Sequence, residues 1–367
     1  MTSSRQRDAG HAGGAVRTDL AWQRDAVTTR SGVVVPVRAT ARRPHWEQLP
    51  APVREVVESA AGAGVDAAHS TGTGFTPGFA SRLDLATGSR IFVKAASSAD
   101  DTLHGWPLSD AYREEARKLR ALPPGIGSPV LLWSLDEQID GVQWVILGFE
   151  NVDGAPPRRP WRLAQLHLVL AKLAAIAPAL ANPPAELALA PAEDDLLAGY
   201  PGRLARIRES EGDGDWLHTV DRLCAEAAPL LRGASVVHLD LRDDNILIDT
   251  SGEVWFCDWN LPAIGAPWID LLCVLLSAKG DGLDADRLIA DHPLTRDVDG
   301  RSIDCLLAAL WSFWGVARTQ PVPAHSPHLR DHQTWYADVT RGWLEERLAA
   351  RCFAADELGL DGRPYAG

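Results

Sequence analysis

Between residues 46 and 150 the chain alternates apolar and polar positions over several short runs. "FASRLDL" (79–85) and "RIFVKA" (90–95) each put every second side chain on one face, the pattern of half-buried strands, and "ATGS" between them supplies turn residues. They predict a hairpin behind the glycine-rich stretch "TGTGFTPG". "PVLLWSLDE" (129–137) and "VQWVILGFE" (142–150) predict two more strands around a turn at Gly141. Two stretches change to helical spacing. "APVREVVESAAGAG" puts Val53, Val56, Val57 and Ala60 on one face and stops at Gly62, while "DAYREEARKLRAL" (110–122) ends before Pro123 and Pro124.

After "NVDGAPPRRP" the texture changes. A long apolar helix is predicted over 161–181, with further helical patterns around 217–231, 268–278, 301–318 and 333–351. The boundary near residue 151 thus separates a strand-rich part from a helix-rich part, an α+β organisation. Residues 1–45 are rich in Arg, Gly, Ser and Thr and hold one strand candidate, "GVVVPVRA"; they read as a loosely held extension.

Composition adds exclusions. A formal net charge of −13 opposes binding to nucleic acid or an anionic membrane surface; it reads first as ordinary solubility and would also favour a cationic partner. Five widely spaced cysteines, without a C-x-x-C pair, read as reduced thiols and not as a disulfide framework or zinc site. The first 19 residues have no apolar core of signal-peptide length, and no apolar run approaches the ~20 residues of a membrane helix. A cytoplasmic protein is expected. The acidic stretches "AEDD" (192–195) and "ESEGDGD" (209–215) read as solvated loops. Most of the 14 tryptophans belong in a core, with Trp106, Trp161 and Trp268 as candidates to line a cleft.

The chemistry concentrates in 236–259. "VVHLDLRDDNILID" sets a His, three acids, an Arg and an Asn between apolar runs, and "TSGE" then "VWFCDW" completes a second predicted hairpin. Closed symmetrically about 250–253, it places Asp249 opposite Val254 and Asn245 opposite Asp258, with Cβ atoms ~5 Å apart. An amide oxygen and a carboxylate at that separation suit Mg²⁺, which fills its remaining positions with phosphate oxygens and water. Asp240, on the loop entering the hairpin, is placed to act as a base beside the metal. That is the geometry of phosphoryl transfer.

His238-x-Asp240-x-x-x-x-Asn245, followed by Asp258, resembles the catalytic loop and metal-binding segment shared by protein kinases and the aminoglycoside phosphotransferase family. "CDWNLPAIGAPWIDL" has Asp258-Trp259 in place of Asp-Phe-Gly, runs on to Gly265, Pro267 and Asp270, and lacks an Ala-Pro-Glu segment. On these residues the chain resembles the aminoglycoside phosphotransferase family over roughly residues 46–350.

The resemblance implies a two-lobed protein-kinase-like fold. It has a small antiparallel-sheet lobe with one helix (46–150), a larger, mainly helical lobe that carries catalysis and the acceptor (151–350), and a C-terminal segment (351–367). It implies ATP and Mg²⁺ as cofactors and a kinase acting on a hydroxyl of a small molecule such as an aminoglycoside. Asp240 would be the base, Arg242 a supporting cation and His238 a structural member bonded to backbone near Asp258. Asn245 and Asp258 would hold the metal, and Lys94, paired with Glu115, would contact the phosphates. Gly74 and Gly78 would cover the phosphates, and backbone around Glu150 and Val152 would hold adenine. Asp270 would brace the loop or cap the following helix. Two departures stand out: Leu239 where the family usually has Gly, and Gly72, Gly74 and Gly78 spaced one residue too far for G-x-G-x-x-G. A Ser/Thr kinase of a precursor peptide, docking a leader or partner protein, stays open. A non-catalytic nucleotide-binding regulator is disfavoured by the intact set of five polar residues.

Overall fold

In the computed structural model, which describes residues 26–38, 40–100, 102–103 and 106–357, the chain enters through an antiparallel ribbon, β1 (Ala26–Thr28) and β2 (Val34–Pro36). Helix α1 (Ala51–Ala61) follows and stops at Gly62, whose φ of 74° is the left-handed conformation that glycine accepts without steric cost. Then come β3 (Val65–Ser70), β4 (Phe79–Leu85), β5 (Arg90–Ser97), α2 (Leu108–Ala121), β6 (Leu131–Ile139) and β7 (Val142–Glu150). The five strands β3 to β7 form one antiparallel sheet in the order β3-β4-β5-β7-β6.

The period-two alternation decides which helix each face meets. Ile91, Val93 and Ala95 of β5 and Ile146 of β7 pack with Val53 and Val57 of α1. Ala96 of β5, with Val145, Leu147 and Phe149 of β7, packs with Leu108, Tyr112 and Ala116 of α2. Lys94 is out of phase with the α1 face and so points to the α2 side.

The larger lobe contains β8 (Gly154–Ala155), α3 (Leu163–Leu180), α4 (Ala192–Leu196), α5 (Tyr200–Glu211), α6 (Asp215–Leu231), β9 (Ser235–Val237), β10 (Ile246–Asp249), β11 (Val254–Phe256) and β12 (Ala263–Gly265). Helices α7 (Ile269–Gly280), α8 (Ala285–Asp291), α9 (Gly300–Ala317) and α10 (Leu329–Glu357) complete it. Every residue of α7 from Ile269 to Ala278 is buried, which makes this helix the axis of the lobe.

Several expectations are corrected. "AEDD" is the body of helix α4, where Glu193 is buried against Arg232 at 2.9 Å, and the acidic 209–215 stretch includes the end of α5. Helix α10 crosses the boundary expected at 350. Trp161 and Trp268 are core residues, and the side chain of Trp106 lies outside the described residues. Helix α3, with 18 residues and a mean hydropathy of 1.7, is by length and composition long and apolar enough to cross a membrane, although Leu166, Val169, Leu170 and Leu173 pack into the lobe.

The loosely held extension is corrected for residues 26–45; residues 1–25 lie outside the described residues. Val27, Val35 and Val37 bury into the core of the large lobe. The Arg30 N–H donates to Asp338 at 2.9 Å, and the His332 ring bonds the carbonyl of Pro36. Burial holds that imidazole down to a pKa of about 4, so it is neutral. From there the strap crosses to the small lobe, where the Thr40 N–H donates to Gly72 O at 2.7 Å. Val35→Ala is expected to lower unfolding free energy by on the order of 2 kcal/mol, from two lost methyl groups plus the cavity left behind. A urea midpoint equal to the wild type would show that the strap is not part of the core.

Candidate active site

Lys94 stands on β5 facing α2, and Glu115 stands on the buried face of α2 one helical turn beyond Tyr112 and Ala111. The Lys94 Nζ lies 2.7 and 3.0 Å from the two Glu115 oxygens and 2.9 Å from Asp258 Oδ1. Burial opposes the ammonium, but the charges of Asp258 and Glu115 outweigh it, and the lysine pKa is raised. Burial pushes the Glu115 carboxyl up to about 7 against the opposing Lys94 charge. Asp258 is held below the usual carboxylate range: burial would raise it, and the Lys94 ammonium, with Arg43 adding to it, lowers it. The neighbouring Glu114 points elsewhere and pairs with Arg117 at 3.0 Å.

The hairpin that brings in Asp258 differs from its expected register. Ile246 pairs with Phe256 and Ile248 with Val254, so Asn245 sits opposite Cys257 and not Asp258. The loop has three residues, Thr250 to Gly252, and Gly252 takes a φ of 88°, which shifts the pairing by one. A one-residue slip would turn an extended Asp258 to the opposite face. Asp258 instead adopts a φ of 66°, outside the strand, and reaches Lys94 from there. Asn245 likewise precedes the strand, at the end of a 3₁₀ turn over Asp243–Asn245.

The loop from His238 to Asn245 is braced from behind. Asp270, in the first turn of α7, accepts the N–H of His238 at 2.7 Å and of Leu239 at 3.0 Å. That holds Leu239 at a φ of 63°, a conformation costing an ordinary residue roughly 1–2 kcal/mol and open to glycine freely. The departure at 239 therefore keeps the glycine-like backbone. His238 is buried, bonds Cys257 O at 2.8 Å and packs on Trp259 with ring centres 4.6 Å apart. Burial lowers its pKa, so it is a neutral structural ring.

Arg242 is clamped by two carboxylates. Its Nη1 bonds Asp240, and Nε and Nη2 lie 3.0 and 3.1 Å from the Asp244 oxygens. Its charge is thus already shared, which sets it to position Asp240 before anything else. Asp240 is pushed up to about 6, by burial first, with Arg242 opposing. Asn245 Nδ2 donates to Asp240 O at 2.8 Å and to its Oδ2 at 3.2 Å, which leaves the Asn245 amide oxygen as an acceptor. Asp243 is buried on Arg159 at 2.9 Å.

A cleft of about 420 Å³ between the lobes is lined among others by Gly74, Lys94, Glu115, Phe149, Val152, Asn245 and Asp258; Asp240 and Arg242 are not among its lining residues, and Asp240 reaches it through its hydrogen bonds with Asn245. Gly74 has a φ of 77° in the covering loop. Gly78 is corrected: it is not among the lining residues, and a Cβ there would lie 2.8 Å from both Leu108 and Tyr112, so packing demands the glycine. Glu150 is also corrected in part. It lines the cleft with Val152, but its N–H already donates to Val130 O at 2.9 Å and its carboxylate accepts the Val130 N–H at 2.8 Å, so that N–H is engaged. Arg43 and Tyr112, which no motif marks, also line the cleft, as does Asp244, expected as a loop carboxylate and not a ligand. Arg43 falls in the stretch assigned to the extension, and no local pattern marks it.

A model of the phosphotransferase enzyme family matches residues 83–301. No curated protein matches the sequence. Among solved structures, the chain is similar to the GDP complex of aminoglycoside 2'-phosphotransferase-IIIa, with a TM-score of 0.52 at 15% identity over 82% of this chain and 100% of that one. It is similar to choline kinase LicA from Streptococcus pneumoniae, with a TM-score of 0.50 at 12% identity over 81% and 99%. A thermostable mutant of aminoglycoside phosphotransferase APH(4)-Ia, in ternary complex with ADP and hygromycin B, gives 0.50 at 12% over 81% and 98%. The fold is the two-lobed, protein-kinase-like α+β fold.

Proposed function

The chain belongs to the phosphotransferase enzyme family, and on that premise we propose that it moves the terminal phosphoryl group of Mg-bound ATP to a hydroxyl of a small molecule, an aminoglycoside or related natural product. The observation that carries this reading is the convergence at one end of the cleft: Lys94 bridges Glu115 and Asp258, and Asn245 ties Asp240 to the same end. The donors fit the metal: one carboxylate oxygen of Asp258 and one amide oxygen of Asn245 are hard ligands, and both residues line the cleft. Mg²⁺ bound there would offset charge on the phosphate oxygens.

The protein's own groups do the rest. Lys94 holds the phosphates as a fixed cation, kept protonated by its two acids. Asp240 takes the proton of the acceptor hydroxyl. With its carboxyl at about 6, it is ionised at neutral pH and still basic enough for the transfer. Arg242 and Asn245 fix its orientation. A cationic acceptor suits the net charge of −13, and the solved structures to which this chain is similar include an aminoglycoside phosphotransferase and a choline kinase.

The test is transfer from γ-labelled ATP with Mg²⁺ to two panels, hydroxylated cationic small molecules and Ser/Thr peptides. Label is expected on a small molecule, and chelation by EDTA is expected to abolish it. Label on peptides alone would replace the small-molecule reading with the peptide one, and label that survives EDTA would remove the metal from it.

A further inference from the structure

The positive charges around the cleft are largely taken up by carboxylates. Lys94 is shared between Glu115 and Asp258, Arg242 between Asp240 and Asp244, and Arg82 lies 3.3 Å from Asp84. A nucleoside triphosphate brings further negative charge to this end.

Arg43 is placed differently. It comes from the strap that precedes the family-matched residues 83–301, and it lines the cleft. Its Nη1 donates to Gly78 O at 3.2 Å and its Nη2 to Thr73 O at 3.0 Å, at opposite ends of the glycine-rich loop. Both acceptors are carbonyls, so neither neutralises the guanidinium. Its Nε is buried and has no hydrogen-bond partner among the described residues. A desolvated charged donor without an acceptor calls for a partner, and at the edge of the cleft that partner can be a bound anion as well as water. Its charge acts on Asp258 and Tyr112, which sets it at the Lys94 end of the cleft.

We infer that Arg43 is a phosphate-binding residue, which clamps the glycine-rich loop through two carbonyls and offers its remaining N–H groups to the nucleotide's terminal phosphates. The inference rests on the phosphotransferase reading and adds to it a cation from outside the matched region. A guanidinium suits this double duty because its planar fork can hold the loop and an anion at once, which a lysine ammonium does less well.

Calorimetric titration of the full chain with Mg·ATP and with adenosine, and with Mg·GTP and guanosine in parallel, tests it. Arg43→Gln is expected to weaken triphosphate binding by about tenfold to a hundredfold, the range of a lost charge-assisted contact, and to leave nucleoside binding within about twofold. Arg43→Lys is expected to recover part of the loss. Equal loss for nucleotide and nucleoside would mean that Arg43 only shapes the loop, and unchanged triphosphate binding would mean that it meets no phosphate; either overturns the inference. A wild type that binds neither triphosphate would remove the phosphotransferase reading itself and this inference with it.

Discussion

Asp240→Asn is expected to lower phosphoryl transfer by about 10²–10⁴-fold while leaving the Kd for Mg·ATP close to the wild-type value. The amide keeps the shape of the carboxylate, so Asn245 retains the backbone carbonyl of residue 240, its nearer acceptor at 2.8 Å. Arg242 retains Asp244. What the substitution removes is the capacity to take a proton. Lys94, Asn245 and Asp258 are untouched, so nucleotide binding should persist. The check is turnover measured beside Kd: wild-type turnover would mean that residue 240 is not the base, and a parallel loss of binding would mean that the change reaches the metal end of the cleft.

The second large effect concerns stability. Asp281→Ala is expected to cost about 3–5 kcal/mol in unfolding free energy, because it strips a buried arginine of its main partner. Arg159 has a side chain 3% exposed and Asp281 one 4% exposed. They share a two-point contact, Nε to Oδ2 at 2.6 Å and Nη2 to Oδ1 at 2.9 Å. Asp281 Oδ2 also accepts the Trp161 N–H at 2.7 Å, so one truncation removes the acceptor of three N–H donors. The same arginine holds Asp243 at 2.9 Å, within the loop that carries the proposed base, so turnover should fall as well. Adding Arg159→Met should restore part of the stability and not all, since Asp243 would then lack its cation. Urea denaturation reads both effects, and a cost below about 1 kcal/mol would show that the pair is solvated.

Much of the small lobe follows from local patterns. The alternation in 79–95 and 142–150 is realised as β4, β5 and β7, and helical spacing with a terminal glycine as α1. The spacing of His238, Asp240 and Asn245 marked a loop whose Asn245 lines the same cleft as Lys94 and Glu115. Other features were hidden because they depend on partners far away in the chain. The one-residue shift of the 246–256 hairpin turned on a single left-handed glycine in its loop. Leu239 looked unsuited to its position because Asp270, which steadies it, lies 31 residues on.

What the sequence by itself determined is therefore the order of the elements, the two-part organisation and the residue types of the catalytic loop, since periodicity and spacing act over a few residues. Only the tertiary structure decided that residues 26–45 are a docked strap, that Arg43 lies over the cleft and that Arg159 ties the catalytic loop to the end of α7. The partners of Arg43 on the loop are 30 and 35 residues away and Asp281 is 122 residues from Arg159. At such separations, burial and pairing energies arise only once the chain has closed on itself, and no local pattern encodes them.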